Sequence, residues 1–141
     1  MLSQVHEHIV GELNQGAKTD TVFVVTAIIF DLIVLGINSA VAGEASSSYN
    51  ENTFSTDIIM VVFMVLVLLV NGISITGLAV GRSTRNKLLS GLVKMYSDHD
   101  VAAYYDTALL GNYNKRYALF TVVIGSLAAT AVIVPLIIRF V

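Results

Sequence analysis

The chain contains no cysteine, a single proline and little charge, with only 13% of its 141 residues being Asp, Glu, Lys or Arg. Each shortage excludes something. Without cysteine there is no disulfide, no thiolate metal site and no cysteine nucleophile, so sulfur chemistry carries no message about redox compartment. The net charge of −2 and the lack of a dense basic stripe exclude the footprint that a phosphate backbone demands. Nucleic acid is therefore not an expected partner. The scarcity of charge also removes the continuous polar shell that a water-soluble domain of this size would need.

What is present is apolar surface, since 55% of the residues are hydrophobic. A small domain cannot bury that much in one core, so the implied solvent is lipid. The first twenty residues, Met1 to Asp20, are polar and have Lys18 as their only basic side chain. A signal or transit peptide needs a basic start, an apolar core or an Arg-rich face, so no cleavable leader is expected.

About twenty predominantly apolar residues are needed to cross roughly 30 Å of hydrocarbon. Three stretches meet that rule: 21–43, 58–81 and 117–138, the last within a segment that runs on to 141. The second opens with an unbroken apolar run from Ile58 to Val70, and the first is interrupted by Asp31. The expected architecture is an all-α membrane protein with three transmembrane helices. Its segments are an N-terminal amphipathic part (1–20), an extracytoplasmic polar loop (44–57), a basic cytoplasmic helical loop (82–116) and the three spans.

Direction follows from the basic residues, because Lys and Arg near membrane ends stay on the cytoplasmic side. Arg82, Arg85, Lys87, Lys94, Lys115 and Arg116 lie between the second and third spans, whereas the first connection offers Glu44, Ser46, Ser47, Ser48, Asn50 and Glu51. The chain is thus expected to be a multi-pass protein of a plasma or inner membrane, with its N-terminus cytoplasmic and its C-terminus outside. Arg139 opposes this, as a lone cation at the outer end that would have to snorkel to the headgroups.

Helical spacing predicts short amphipathic helices beside the spans. Leu2, Val5, Ile9 and Leu13 make one stripe, ending near Gly16, with Glu7 and Glu12 among its polar residues. Leu88, Leu89, Leu92, Val93 and Tyr96 make a second, and Val101, Tyr104, Tyr105, Ala108 and Leu109 a third. Ser97, Asp98 and Asp100 are N-cap candidates between the last two, and Gly111 with Asn112 is a candidate stop before the third span.

Asp31 is the residue that demands an explanation, since a carboxylate near the bilayer centre costs at least about 2.5–3.5 kcal/mol on insertion scales. Counting from the cytoplasmic ends puts Asp31, Asn71 and Ser126 near one depth, with Asn38 two turns further along the face of Asp31. Two readings follow. The four can form an intramembrane polar layer that binds or relays a proton or cation. Alternatively Asp31 is a hydrogen-bonded peg that fastens its helix to a neighbour, which the lack of any second intramembrane charge favours. Gly72, Gly77 and Gly81 on the second span, with Gly125 and Ala129 on the third, are candidate packing positions where backbones approach closely. Pro135 marks a bend near the outer end of the third span.

His6, His8 and His99 complete no ligand set, so no metal is expected. No span carries a His for a buried haem or a Lys for a Schiff base, and no catalytic motif is present. No cofactor and no enzymatic activity are expected. The sequence favours a small accessory or structural subunit of a larger membrane complex, touching lipid and either other membrane subunits or copies of itself. The alternative is a homo-oligomeric ion or proton channel in which copies of Asp31 ring an axis.

Overall fold

A computed structural model describes residues 1–47, 53–101 and 108–141. They form three helices in the order α1 (Leu2–Ser47), α2 (Thr53–Asp98) and α3 (Ala108–Phe140). Each contains a window long and apolar enough to cross a membrane. Lipid offers the backbone no hydrogen bonds, so a helix that satisfies its own amides is the form these apolar stretches take there.

The helices are longer than the spans. At about 1.5 Å per residue, the 46 residues of α1 and of α2 extend about 69 Å each, more than twice the roughly 30 Å of a hydrocarbon core. The separate short helices expected at the two inner segments are not present among the described residues. The stripe from Leu2 to Leu13 belongs to α1, which passes through Gly16, and the stripe from Leu88 to Tyr96 belongs to α2. A helix already nucleated in lipid propagates at little cost into a polar stretch of good helix formers, whereas a separate short helix would need its own nucleus. Of the third stripe, Tyr104 and Tyr105 lie outside the described residues.

Two punctuation signals also read differently. Asp100 belongs to the ending of α2. It adopts φ 60° immediately beyond α2, while Val101 N–H donates to Tyr96 O at 3.0 Å and Asp100 N–H to Ser97 O at 3.3 Å. That pair of bonds is a Schellman ending, and an Asp occupies its left-handed position because a short polar side chain tolerates that conformation. Gly111 and Asn112 stop nothing, since α3 begins at Ala108 and runs through both. α3 also continues through the buried Pro135 to Phe140.

The helices pack up, down and up. Phe23 meets Gly77 and Asp31 meets Asn71 between α1 and α2, while Asp20 meets Tyr117 between the parallel α1 and α3. Buried positions recur at alternating steps of four and three: Asp20, Val24, Ala27, Asp31, Val34 and Asn38 on α1, then Met60, Met64, Val67, Asn71, Ser74 and Leu78 on α2. α3 contributes Tyr117, Ile124, Ala128, Ala131 and Pro135. This 3.5-residue repeat is the seam of a left-handed coiled bundle.

The seam mixes apolar side chains with the polar Asp31, Asn38, Asn71 and Ser74, whereas the outside is large and aliphatic. Val22, Ile29, Leu32 and Ile33 on α1, like Val61, Val65, Leu68 and Leu69 on α2, are all exposed. A protein in water would place these residues the other way round. In a bilayer the arrangement is the favourable one, because lipid tails are as apolar as Leu and small residues let helix backbones approach.

Candidate functional site

Two polar layers cross the bundle. The middle one is built on Asp31, which is 1% exposed on the seam of α1. Asn71 of α2 donates through Nδ2 to Asp31 Oδ1 at 2.6 Å and to its own Val67 O at 2.8 Å. The second bond anchors the amide to its helix, so the first holds α1 against α2. Val34, Val67, Ala128 and Ala131 pack in the adjoining apolar cluster. Two turns outward Asn38, fully buried, donates through Nδ2 to Met60 O at 3.4 Å. Three oxygens in this region, Asp31 Oδ2, Asn71 Oδ1 and Asn38 Oδ1, have no hydrogen-bond partner among the described residues.

Ser126 does not join this layer. It is exposed, and its hydroxyl donates to Val122 O of its own helix at 2.7 Å. Depth was the right coordinate but not the sufficient one. The buried neighbours on α3 are Ile124 and Ala128, and a step of two residues turns the side chain about 200° from either.

The glycines divide in the same way. Gly77 faces the Phe23 ring, which would lie 3.1 Å from an added Cβ, so the missing side chain makes room for that ring. Gly72 and Gly125 would meet nothing within 4 Å, and Ala129 is exposed. Those three do not pack within this chain. Along α3, Gly125, Ser126, Ala129 and Thr130 instead form an outward face of small side chains. Both hydroxyls on it are turned back to backbone oxygens, with Thr130 donating to Ser126 O at 2.9 Å.

The second layer lies at the Asp20 end of the bundle and ties all three helices. Asp20 of α1, 7% exposed, accepts a short hydrogen bond from the Tyr117 hydroxyl of α3. Its other oxygen lies so close to α2 that a Cβ on Gly81 would stand 2.6 Å from Oδ1. Arg85 of α2, 8% exposed, donates to Leu13 O at 3.2 Å, and its guanidinium lies 4.9 Å from the Tyr113 ring centroid and 5.7 Å from that of Tyr117. The delocalised cation is held by π faces and a carbonyl, a geometry that Arg fits and Lys does not.

No family model, curated protein or solved structure matches this chain. The functional reading therefore rests on geometry.

Of the residues in this second layer only Gly81 is marked by the sequence, as a packing glycine. Asp20 and Tyr117 looked like segment boundaries, and Arg85 looked like one more topogenic cation. The usable signal was the repeat itself, since Asp20, Val24, Ala27 and Asp31 keep the four-three spacing and place both carboxylates on one seam. At the opposite end of the bundle Arg139 has a partner within the chain: Nε and Nη2 donate to the two Asp57 oxygens at 2.8 and 3.1 Å. That forked pair joins α3 to α2 just beyond the spans. Of the histidines, His6 leans on Tyr96 with ring centroids 5.8 Å apart, while His8 and His99 are exposed. Among the described residues, no three His, Cys, Asp or Glu side chains are grouped to hold a metal ion.

Proposed function

We propose that this chain is a small structural subunit of a larger integral membrane assembly, inserted with its basic helix ends toward the cytoplasm and its C-terminus outside. The observation that carries the reading is the commitment of Asp31. Its carboxylate is sealed in the seam and bonded to Asn71 of the same chain. A carboxylate used in that way pins two helices together and is not presented to copies of itself around an axis. What the chain has left to offer a neighbour is the outward small-residue face of α3, with Gly125 and Ala129 one turn apart, which suits close approach by a helix from another subunit.

The absence of cysteine supplies a clean experiment. A single cysteine at Ala129, labelled with benzophenone maleimide and irradiated in native membranes, is expected to cross-link a different polypeptide, identified by mass spectrometry. A cysteine at Ile33, on the lipid-facing side of α1, is expected to trap none. A cross-linked dimer made only of this chain would replace the subunit reading with self-association.

The second reading, an ion or proton channel, draws on the three unpaired oxygens of the middle layer. It requires that the purified chain pass ions in liposomes and that Asp31→Asn abolish the flux. The structural reading expects no flux from either protein and unchanged assembly of the variant, because Asn retains an acceptor oxygen for Asn71.

A further inference from the structure

A groove between α2 and α3 at their inner ends is used neither by the packing of the bundle nor by the subunit reading. Its volume is about 850 Å³, within the roughly 300–1,000 Å³ of small-molecule clefts. The walls change character along the helix axes. At the inner end stand Arg82, Ser83, Asn86 and Lys87. Toward the bilayer middle the walls are Ala79, Ala118 and Val122, small enough to leave the groove open beside the buried Leu78 and Tyr117.

The polar end is organised for an anion. Asn114 of α3 accepts from Arg82 Nε at 3.0 Å and from Asn86 Nδ2 at 3.3 Å, which holds the guanidinium at the mouth by one of its nitrogens. Among the described residues, neither Arg82 nor Lys87 lies within 4.0 Å of a carboxylate, the criterion that Arg139 and Asp57 satisfy. The contrast with the opposite side of α2 fixes the sign. There a cleft of about 480 Å³ is lined by Glu12 and Asp20, and its one cation, Arg85, is already engaged by Leu13 O and two tyrosine rings.

We propose that the α2–α3 groove seats one anionic phospholipid of the leaflet at the basic end. Its phosphate lies between Arg82 and Lys87, and one acyl chain runs along Ala79, Ala118 and Val122. The guanidinium fork matches two phosphate oxygens, Lys87 adds a point charge, and the apolar half of the groove accepts what a free phosphate would leave empty. This rests on lipid being the surroundings of the helices and is independent of the identity of any protein partner.

The test is native mass spectrometry of the chain released from bilayers containing equal phosphatidylglycerol and phosphatidylcholine. One phosphatidylglycerol per chain is expected to be retained in preference to phosphatidylcholine. Arg82→Gln with Lys87→Gln is expected to lower that preference on the order of thirtyfold, from the ordinary attraction of two cationic side chains to an anionic lipid. The charge-keeping pair Arg82→Lys with Lys87→Arg is expected to retain it, and Lys94→Gln, exposed further along α2, to leave it unchanged. Ala118→Phe, which fills the groove without altering charge, is expected to evict the lipid. Equal retention by the double Gln variant overturns the proposal. So does an Ala118→Phe variant that binds as well as the parent, which would mean attraction at the surface alone. Displacement of the lipid by millimolar inorganic phosphate would reassign the groove to a free anion.

Discussion

At the middle of the bundle Asp31 has one side-chain partner, Asn71, and the two residues leave one oxygen each unpaired. At the inner end Asp20 is shared among three helices, with the Tyr117 hydroxyl on one oxygen and the Gly81 backbone pressed against the other. The difference follows depth. In hydrocarbon, a polar group has only the bundle to bond to, so a single well-placed amide decides whether the carboxyl is tolerable. Near the headgroups water remains an alternative partner, and the cluster can spread its contacts over several elements at lower risk. The middle layer therefore sets which helices pair, and the inner layer sets how closely the third is drawn in.

The largest expected effect comes from breaking the middle layer on one side only. Asn71→Leu strands the carboxyl of Asp31 in an apolar seam and is expected to cost about 2–3 kcal/mol, measured by reversible SDS titration of the chain in mild detergent. Asp31→Leu combined with Asn71→Leu is expected to return to within about 1 kcal/mol of the parent, since an apolar pair leaves nothing unpaired. A double variant as unstable as the single one would refute the pairing role.

Perturbing the inner layer is expected to cost less. Gly81→Ala drives a Cβ against Asp20 Oδ1, and the carboxylate can yield only by moving off Tyr117. The expected loss is about 1–2 kcal/mol, and Tyr117→Phe, which removes the same bond without the clash, is expected to lose about 1 kcal/mol. If the two effects add fully when combined, Asp20 does not couple the two contacts.

Gly125→Ala sharpens the contrast between inward and outward glycines. The added methyl meets nothing within 4 Å, so the isolated chain is expected to change by less than about 0.5 kcal/mol. In membranes the same change is expected to reduce the heterologous cross-link from a cysteine at Ala129, because the partner's backbone is held off. The smallest effect belongs to the half-buried pair of Arg139 and Asp57. The hydrogen bond from Arg139 holds the Asp57 carboxyl below its ordinary value of 3.8. A depressed carboxylate contributes its stabilisation above the ordinary value and loses it as pH falls through the lower, folded one. Acid titration of the parent and of Arg139→Gln is therefore expected to separate only at and above the usual carboxylate range and to converge below it.

Much of this architecture was legible because lipid imposes a simple rule. Runs such as Ile58 to Val70 are helical if lipid surrounds them, and each of the three lies in a helix long and apolar enough to cross a membrane. The ends were not legible, because hydropathy marks where lipid stops and not where a helix stops. Gly16 and Gly111 read as breaks, yet the helices continue through them. At the site, depth counting placed Asp31 and Asn71 together, while only the three-four repeat of the seam could have revealed that Ser126 points away and that Asp20 points in. The partner of Arg139 was out of reach of local reasoning, since Asp57 is 82 positions away along the chain.

The unbroken course of α1 from Leu2 to Ser47 carries a mechanical consequence. With no proline and no left-handed residue along its length, it behaves as one stiff shaft. Torque applied at the protruding tip, where His6 leans on Tyr96 of α2, is delivered to Asp31 without a joint to absorb it. A body that grips this tip holds a lever on a carboxyl buried about seven turns away.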